Sequence, residues 1–251
     1  MSDRSAWPGE LPPQGPGPLR SPQAGRRRSD AAPTAVREVP VEGPVPFVRH
    51  PGWAERFPWL VQGTTVRGEE DDPSDLALFG AGDPAAARVR WGDLVRSLGM
   101  GRAVHARQVH GAEVGLHRDG PPGLHLLEAF DGHATRTPGV LLGVTVADCV
   151  PVSVVDGARR VVAVLHAGWR GAAAGILEAG LRLLADRLGS RPASLAVHLG
   201  PAICGECYEV GPEVHEALGL EPPGTARPVD LRGNLARRAV GAGVPPEAVS
   251  V

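Results

Sequence analysis

The chain has 251 residues, 26 basic and 28 acidic groups, and a net charge of −2 with histidines neutral. Every basic residue is Arg, which excludes a Schiff-base lysine and a phosphate loop ending in Gly-Lys-Ser/Thr. The near-neutral balance also argues against a nucleic-acid binder, which would carry a basic excess.

Residues 1–46 hold ten prolines, the triplet Arg26-Arg27-Arg28 and few Val, Ile, Leu or Phe. Such a stretch does not bury enough apolar surface to offset its ordering entropy. Residues 1–45 are therefore predicted to be a disordered tail, and 46–251 a single domain with a sizeable core. No apolar run follows the early Arg, so the tail does not read as a signal peptide. No apolar stretch approaches the roughly 20 residues that span a bilayer. The expectation is a soluble, cytoplasmic protein with no membrane partner. Three cysteines, Cys149, Cys204 and Cys207, are an odd number. That disfavours a disulfide framework and favours reduced thiols.

Along the domain, a strand is expected near Leu60–Thr65, then an acidic loop to Phe79. Residues 84–98 show a helical pattern ending at Gly99, and 107–116 suggest a short strand. Gly120 to Gly132 reads as a loop-rich connection. Val140–Val146, Val150–Val155 and Arg160–Leu165 are β-branched apolar runs. The last two, joined by Asp156-Gly157-Ala158-Arg159, read as a β-hairpin. Leu177, Leu181, Leu184 and Leu188 fall on one face of a helix predicted from Gly171 to Leu188, with Gly189 as its stop. Leu195–Leu199 is a further buried strand. The fold class is α/β (α+β), a layered sandwich of mixed β-sheet flanked by helices.

A hairpin turn symmetric about Gly157 and Ala158 would place Cys149 directly opposite His166. Directly opposed residues have Cβ atoms about 4.5–5.5 Å apart. A thiolate and an imidazole at that spacing suit a shared metal ion or a nucleophile–base pair. A buried Cys beside a hydrogen-bonded His is the structural alternative. Asp148 precedes the Cys. His166-Ala167-Gly168-Trp169-Arg170-Gly171 leads into a helix start, where an always-charged Arg suits phosphate or carboxylate. Candidates for a third ligand are His105, His110, His117, His125, His133 and His198, and spacing does not choose among them. Cys204-Gly205-Glu206-Cys207 lacks the second Cys pair of a zinc ribbon and reads as a structural turn.

Four motifs occur in order: Gln108-Val109-His110-Gly111; Ala147-Asp148-Cys149-Val150-Pro151-Val152; the His166–Gly171 stretch; and Gly200-Pro201-Ala202-Ile203 followed by Cys207-Tyr208-Glu209-Val210-Gly211. Together they resemble the YfiH-like laccase-domain family over about residues 47–251. That family was first labelled multicopper polyphenol oxidase. It is now regarded as zinc-dependent purine nucleoside phosphorylase with adenosine deaminase activity. The resemblance implies Zn2+ bound by His110, Cys149 and His166, with copper as the alternative metal. It implies a purine nucleoside (adenosine, inosine or 5′-methylthioadenosine) and phosphate as substrates. Arg170 would hold phosphate, and Asp148 would orient a ligand or move protons. A monomer or homodimer is expected.

The alternatives are a copper-dependent polyphenol oxidase, a metal-free Cys–His hydrolase, and an inactive truncated binding protein. Three departures from the family stand out. The chain stops at Val251, before the usual Ser-Tyr-Arg-Arg-type segment, so that segment is expected to be missing. Only Cys207 matches the usual Gly-Pro-Cys-Cys. Thr65-Val66-Arg67-Gly68-Glu69 replaces Gly-Gly-Val-Ser.

Overall fold

The computed structural model describes residues 33–66, 75–79 and 82–251. All of these fall within one unit, Ala31–Val251. Most of the expected tail, 1–32, and the Arg67–Glu69 departure lie outside the described residues. Of the remaining stretch expected in the tail, Val39–Val41 is a strand (β1) pairing antiparallel with Phe47–Arg49 (β2).

The chain continues through helix Pro51–Arg56 (α1), strand Thr64–Thr65 (β3) and helix Pro84–Ser97 (α2). Only the last two residues of the expected Leu60–Thr65 strand form one. Helix α2 starts where Asp83 accepts from the amides of Ala85 and Ala86, with Pro at its first position. Strands Arg102–Arg107 (β4), Val114–His117 (β5), Gly123–Glu128 (β6), Gly132–Thr135 (β7) and Val140–Leu142 (β8) follow. The single strand expected over 107–116 is thus two strands flanking a loop, 108–113. The connection expected over 120–132 contains β6. Mixed small and polar residues hide these strands, because their sequences show no clean alternation of apolar and polar positions.

Strands Val150–Asp156 (β9) and Val161–Ala167 (β10) form the expected hairpin. Helices Trp169–Ala174 (α3) and Ile176–Leu188 (α4) replace the single helix expected from 171 to 188. The break is Gly175, at φ +88°, a left-handed conformation that other residues seldom adopt. Then come Leu195–Leu199 (β11), Glu209–Val210 (β12), Pro212–Ala217 (α5), Arg227–Pro228 (β13), Leu231–Gly241 (α6) and Val249–Ser250 (β14).

The central sheet runs β14-β11-β9-β10-β7-β5 and mixes parallel with antiparallel pairs. A parallel sheet, β6-β4-β8, carries α2. One face of the central sheet presents Val152, Val154 and Leu165 to Leu177, Leu181 and Leu184 of α4 and Leu235 of α6. Because side chains alternate along a strand, Pro151, Ser153, Val162, Val164 and His166 point to the other face. Among the described residues no helix is long and apolar enough to cross a membrane.

Two buried histidines sit on neighbouring strands β5 and β7. His117 Nε2 lies 2.9 Å from His133 Nδ1. Burial, with Arg102 adding, lowers the His117 pKa to about 4; burial, with His117 adding, lowers that of His133 to about 3. Both rings are neutral in the fold and titrate near 6.5 when unfolded, so the unfolded chain takes up their protons first as pH falls. Their contribution is intact above pH 6.5 and is lost from there toward pH 4. Between pH 7 and 5 the loss should be roughly 2 kcal/mol per histidine. His117→Gln should flatten that limb in urea unfolding measured at a series of pH values.

Candidate metal centre

His110, Cys149 and His166 bring one ligand atom each to within 4.8 Å of one another. None of the other candidate histidines joins them. His105 stacks on Trp91, His117 pairs with His133, His125 meets the Pro121 carbonyl, and His198 lies between Ser250 and Glu38.

The hairpin reaches this cluster by a different register from the one expected. His166 pairs with Pro151 and Val161 with Asp156, so the turn is centred between Ala158 and Arg159. Cys149 precedes the first paired residue, Val150, and is not directly opposite His166. The register is two residues from the expected one, and a two-residue slip keeps every side chain on its face. Cys149 and His166 therefore remain diagonal neighbours on the face away from α4, within reach of each other.

Gly168, next in line opposite Cys149, has to be a glycine for steric reasons. A Cβ there would lie 2.9 Å from the Cys149 sulfur and 3.0 Å from His110 Cδ2. Its φ of −75° is ordinary for any residue, so the constraint comes from the ligands and not the backbone. Gln108 joins the two loops that carry ligands. Its amide nitrogen donates to the Thr145 carbonyl at 2.8 Å, and its oxygen accepts from the Thr145 amide at 2.7 Å.

Asp131 is fully buried and was not singled out by motif or spacing. One oxygen accepts from the His110 amide and faces His166 Nδ1, each at 2.9 Å; the other accepts from the amides of Val109 at 3.1 Å and Gly111 at 2.8 Å. His110 itself is held at φ +59°, a conformation that costs a non-glycine residue about 1–2 kcal/mol. The sequence signal was faint: an acid before Gly132 in a stretch read as loop. Asp148, expected to orient a ligand, has no hydrogen-bond partner for its carboxylate among the described residues. Its carbonyl accepts from the Ile203 amide.

Because a carboxylate only accepts, His166 Nδ1 carries the proton and Nε2 keeps a bare lone pair. Burial lowers the His166 pKa, against the pull of Asp131, which favours the neutral ring that ligates metals. Burial, then Asp148 and Asp131, push the Cys149 thiol up. A free nucleophilic cysteine needs the opposite shift, so the metal-free Cys–His hydrolase fits poorly.

The cluster opens on a cavity of about 930 Å³, also lined by Gln108, Thr145 and Asp148. Arg170 does not line it. Its guanidinium lies 4.3 Å from the Trp169 ring centroid, and Trp169 packs partly buried on the main core. The short helix α3 places Arg170 near Tyr208, which also senses Cys149 and Asp148. Cys204 and Cys207 form a disulfide, correcting the expectation of reduced thiols. The turn that returns the Cys207 and Tyr208 amides to the Cys204 carbonyl brings their Cα atoms to 5.2 Å. Cys149 is the free cysteine.

The sequence profile of the multi-copper polyphenol oxidoreductase laccase family matches residues 73–251. The chain belongs to this family. It is 40% identical over 153 residues to a purine nucleoside phosphorylase of Streptomyces coelicolor, covering 59% of this chain and 62% of that protein. It is 38% identical over 130 residues to the adenosine deaminase RL5 of an unknown prokaryotic organism, covering 47% of this chain and 49% of that protein. The matched region thus spans about three fifths or less of these relatives. Among solved structures, YlmD from Geobacillus stearothermophilus superposes with a TM-score of 0.77 at 26% identity, covering 87% of this chain and 88% of that one. The family's mixed α/β fold is thereby the fold of this chain.

Gly168→Ala should leave the fold intact, since its backbone angles suit alanine, but should force the sulfur and the His110 ring apart. The expected outcome is zinc affinity weaker by about tenfold or more, read by competition with a chromophoric chelator, with a near-native melting curve.

Proposed function

We propose that this chain is a zinc-dependent purine nucleoside phosphorylase that also deaminates adenosine. The observation that carries the reading is the convergence of two imidazoles and one thiol on the wall of a cavity large enough for a nucleoside. A tetrahedral zinc ion with bonds of about 2.0–2.3 Å holds its ligands some 3.3–3.8 Å apart. The three atoms here need only a small inward shift. The donor set, soft thiolate with imidazole, suits zinc. When bound, the ion supplies a Lewis acid with one vertex left for substrate or water.

The chain's own residues do the remaining work. Arg170 pairs with no carboxylate among the described residues and rests over Trp169, outside the cavity; to hold the phosphate dianion its guanidinium swings off that ring toward the metal cluster. Asp148 lines the cavity with a carboxylate that makes no hydrogen bond among the described residues, and it takes or returns a proton at the reacting nucleoside. His166, its Nδ1 committed to Asp131, presents Nε2. The names of the relatives support the same reading. The copper oxidase reading fits less well. Reducing oxygen at several copper ions needs several ligand groups, and the described residues hold one.

Purified chain incubated with adenosine or inosine and phosphate should release adenine or hypoxanthine, and adenosine alone should yield inosine, all resolved by chromatography. Metal analysis should return about one zinc per chain. Cys149→Ala should abolish both zinc retention and turnover. Full activity in that variant, or after exhaustive chelation, would refute the proposal.

A further inference from the structure

We infer that Asp131 is the positioning residue of the metal centre, holding His110 and His166 in the arrangement that receives the ion. The inference rests on the metal-binding part of the reading above and not on its substrates. A carboxylate has about four lone-pair sites. In Asp131 all four are taken by N–H donors: the amides of Val109, His110 and Gly111, and His166 Nδ1. Every donor belongs to a ligand residue or to a direct neighbour of one. The carboxylate makes no ion pair with an Arg among the described residues, so nothing else draws on it. The backbone joins in, because the Asp131 carbonyl accepts from the His166 amide at 2.7 Å.

Three consequences follow for the ligands. The three converging amides keep His110 in its left-handed conformation, which turns its ring toward Gly168 and Cys149. The bond to Nδ1 fixes the His166 tautomer and leaves Nε2 as the ligand atom. Residue 131 also lies immediately before β7, which pairs with β10 and β5, so the support is rigid. Asparagine has the same shape but fails chemically. Its NH2 group would face another N–H whichever way the amide turned.

The test compares wild type, Asp131→Asn, and a core variant, Val154→Ala, that destabilises the fold from the α4 face of the central sheet, opposite the face that carries His166. Zinc affinity is measured by chelator competition, and the His166 tautomer by nitrogen-15 NMR of the metal-free protein. Asp131→Asn should bind zinc about 10- to 100-fold more weakly, while Val154→Ala should bind it as wild type does. Wild type should show His166 protonated on Nδ1, and the Asn variant should not. Unchanged zinc affinity in Asp131→Asn overturns the inference, as does an equal loss in Val154→Ala. Should the Asn variant not fold, a wild-type His166 protonated on Nε2 overturns it alone. Wild type that binds zinc tightly but leaves nucleosides intact refutes the proposed activity and leaves this inference standing. Wild type that binds no zinc overturns both.

Discussion

The site depends on one buried carboxylate filled by four N–H donors. An isolated charge in the interior is costly, and it persists only when hydrogen bonds replace its lost water. Asp131 meets that condition, and in doing so it ties the loop carrying His110 to the strand carrying His166. The strain at His110 is tolerable for the same reason, since in that conformation three successive amides all reach the carboxylate. Strain held by over-determined surroundings is characteristic of sites built to bind.

The remaining parts of the site are steric and geometric. Gln108 clamps the His110 loop against the loop ending in Cys149 through its bonds to Thr145. Gly168 gives up its side chain so that the sulfur and the His110 ring can approach. Three segments far apart in sequence thereby share one small volume, with the cavity beside it. The disulfide turn at Cys204–Cys207 supports the same region from outside, through the bond from the Ile203 amide to the Asp148 carbonyl.

Much of this was legible in the residues. The Val-rich runs of β9 and β10 and the leucine stripe of α4 predict a hairpin and a helix packed on it, because burial on one face imposes a period. Pairing Cys149 with His166 came from the wrong register, yet the conclusion survives because a two-residue slip preserves the face. His110 entered through a motif and a family resemblance, since an isolated loop histidine carries no periodic signal. Strands β4 and β6 were missed. Their residues mix small, polar and apolar side chains, with His105 as buried as Ala106, and show neither clean alternation nor a continuous apolar run.

By itself the sequence determined which residue types could hold a soft divalent ion, and that a helix and a hairpin would carry some of them. Local periodicity and residue chemistry are properties of short stretches, and short stretches are all that such reading requires. Only the tertiary structure decided that the N–H donors around His110 and His166 converge on Asp131, that Arg170 stands outside the cavity, and that the predicted long helix breaks at Gly175. Those outcomes depend on which strands become neighbours and how closely their backbones approach, and a pairing across tens of residues leaves no periodic mark in the chain.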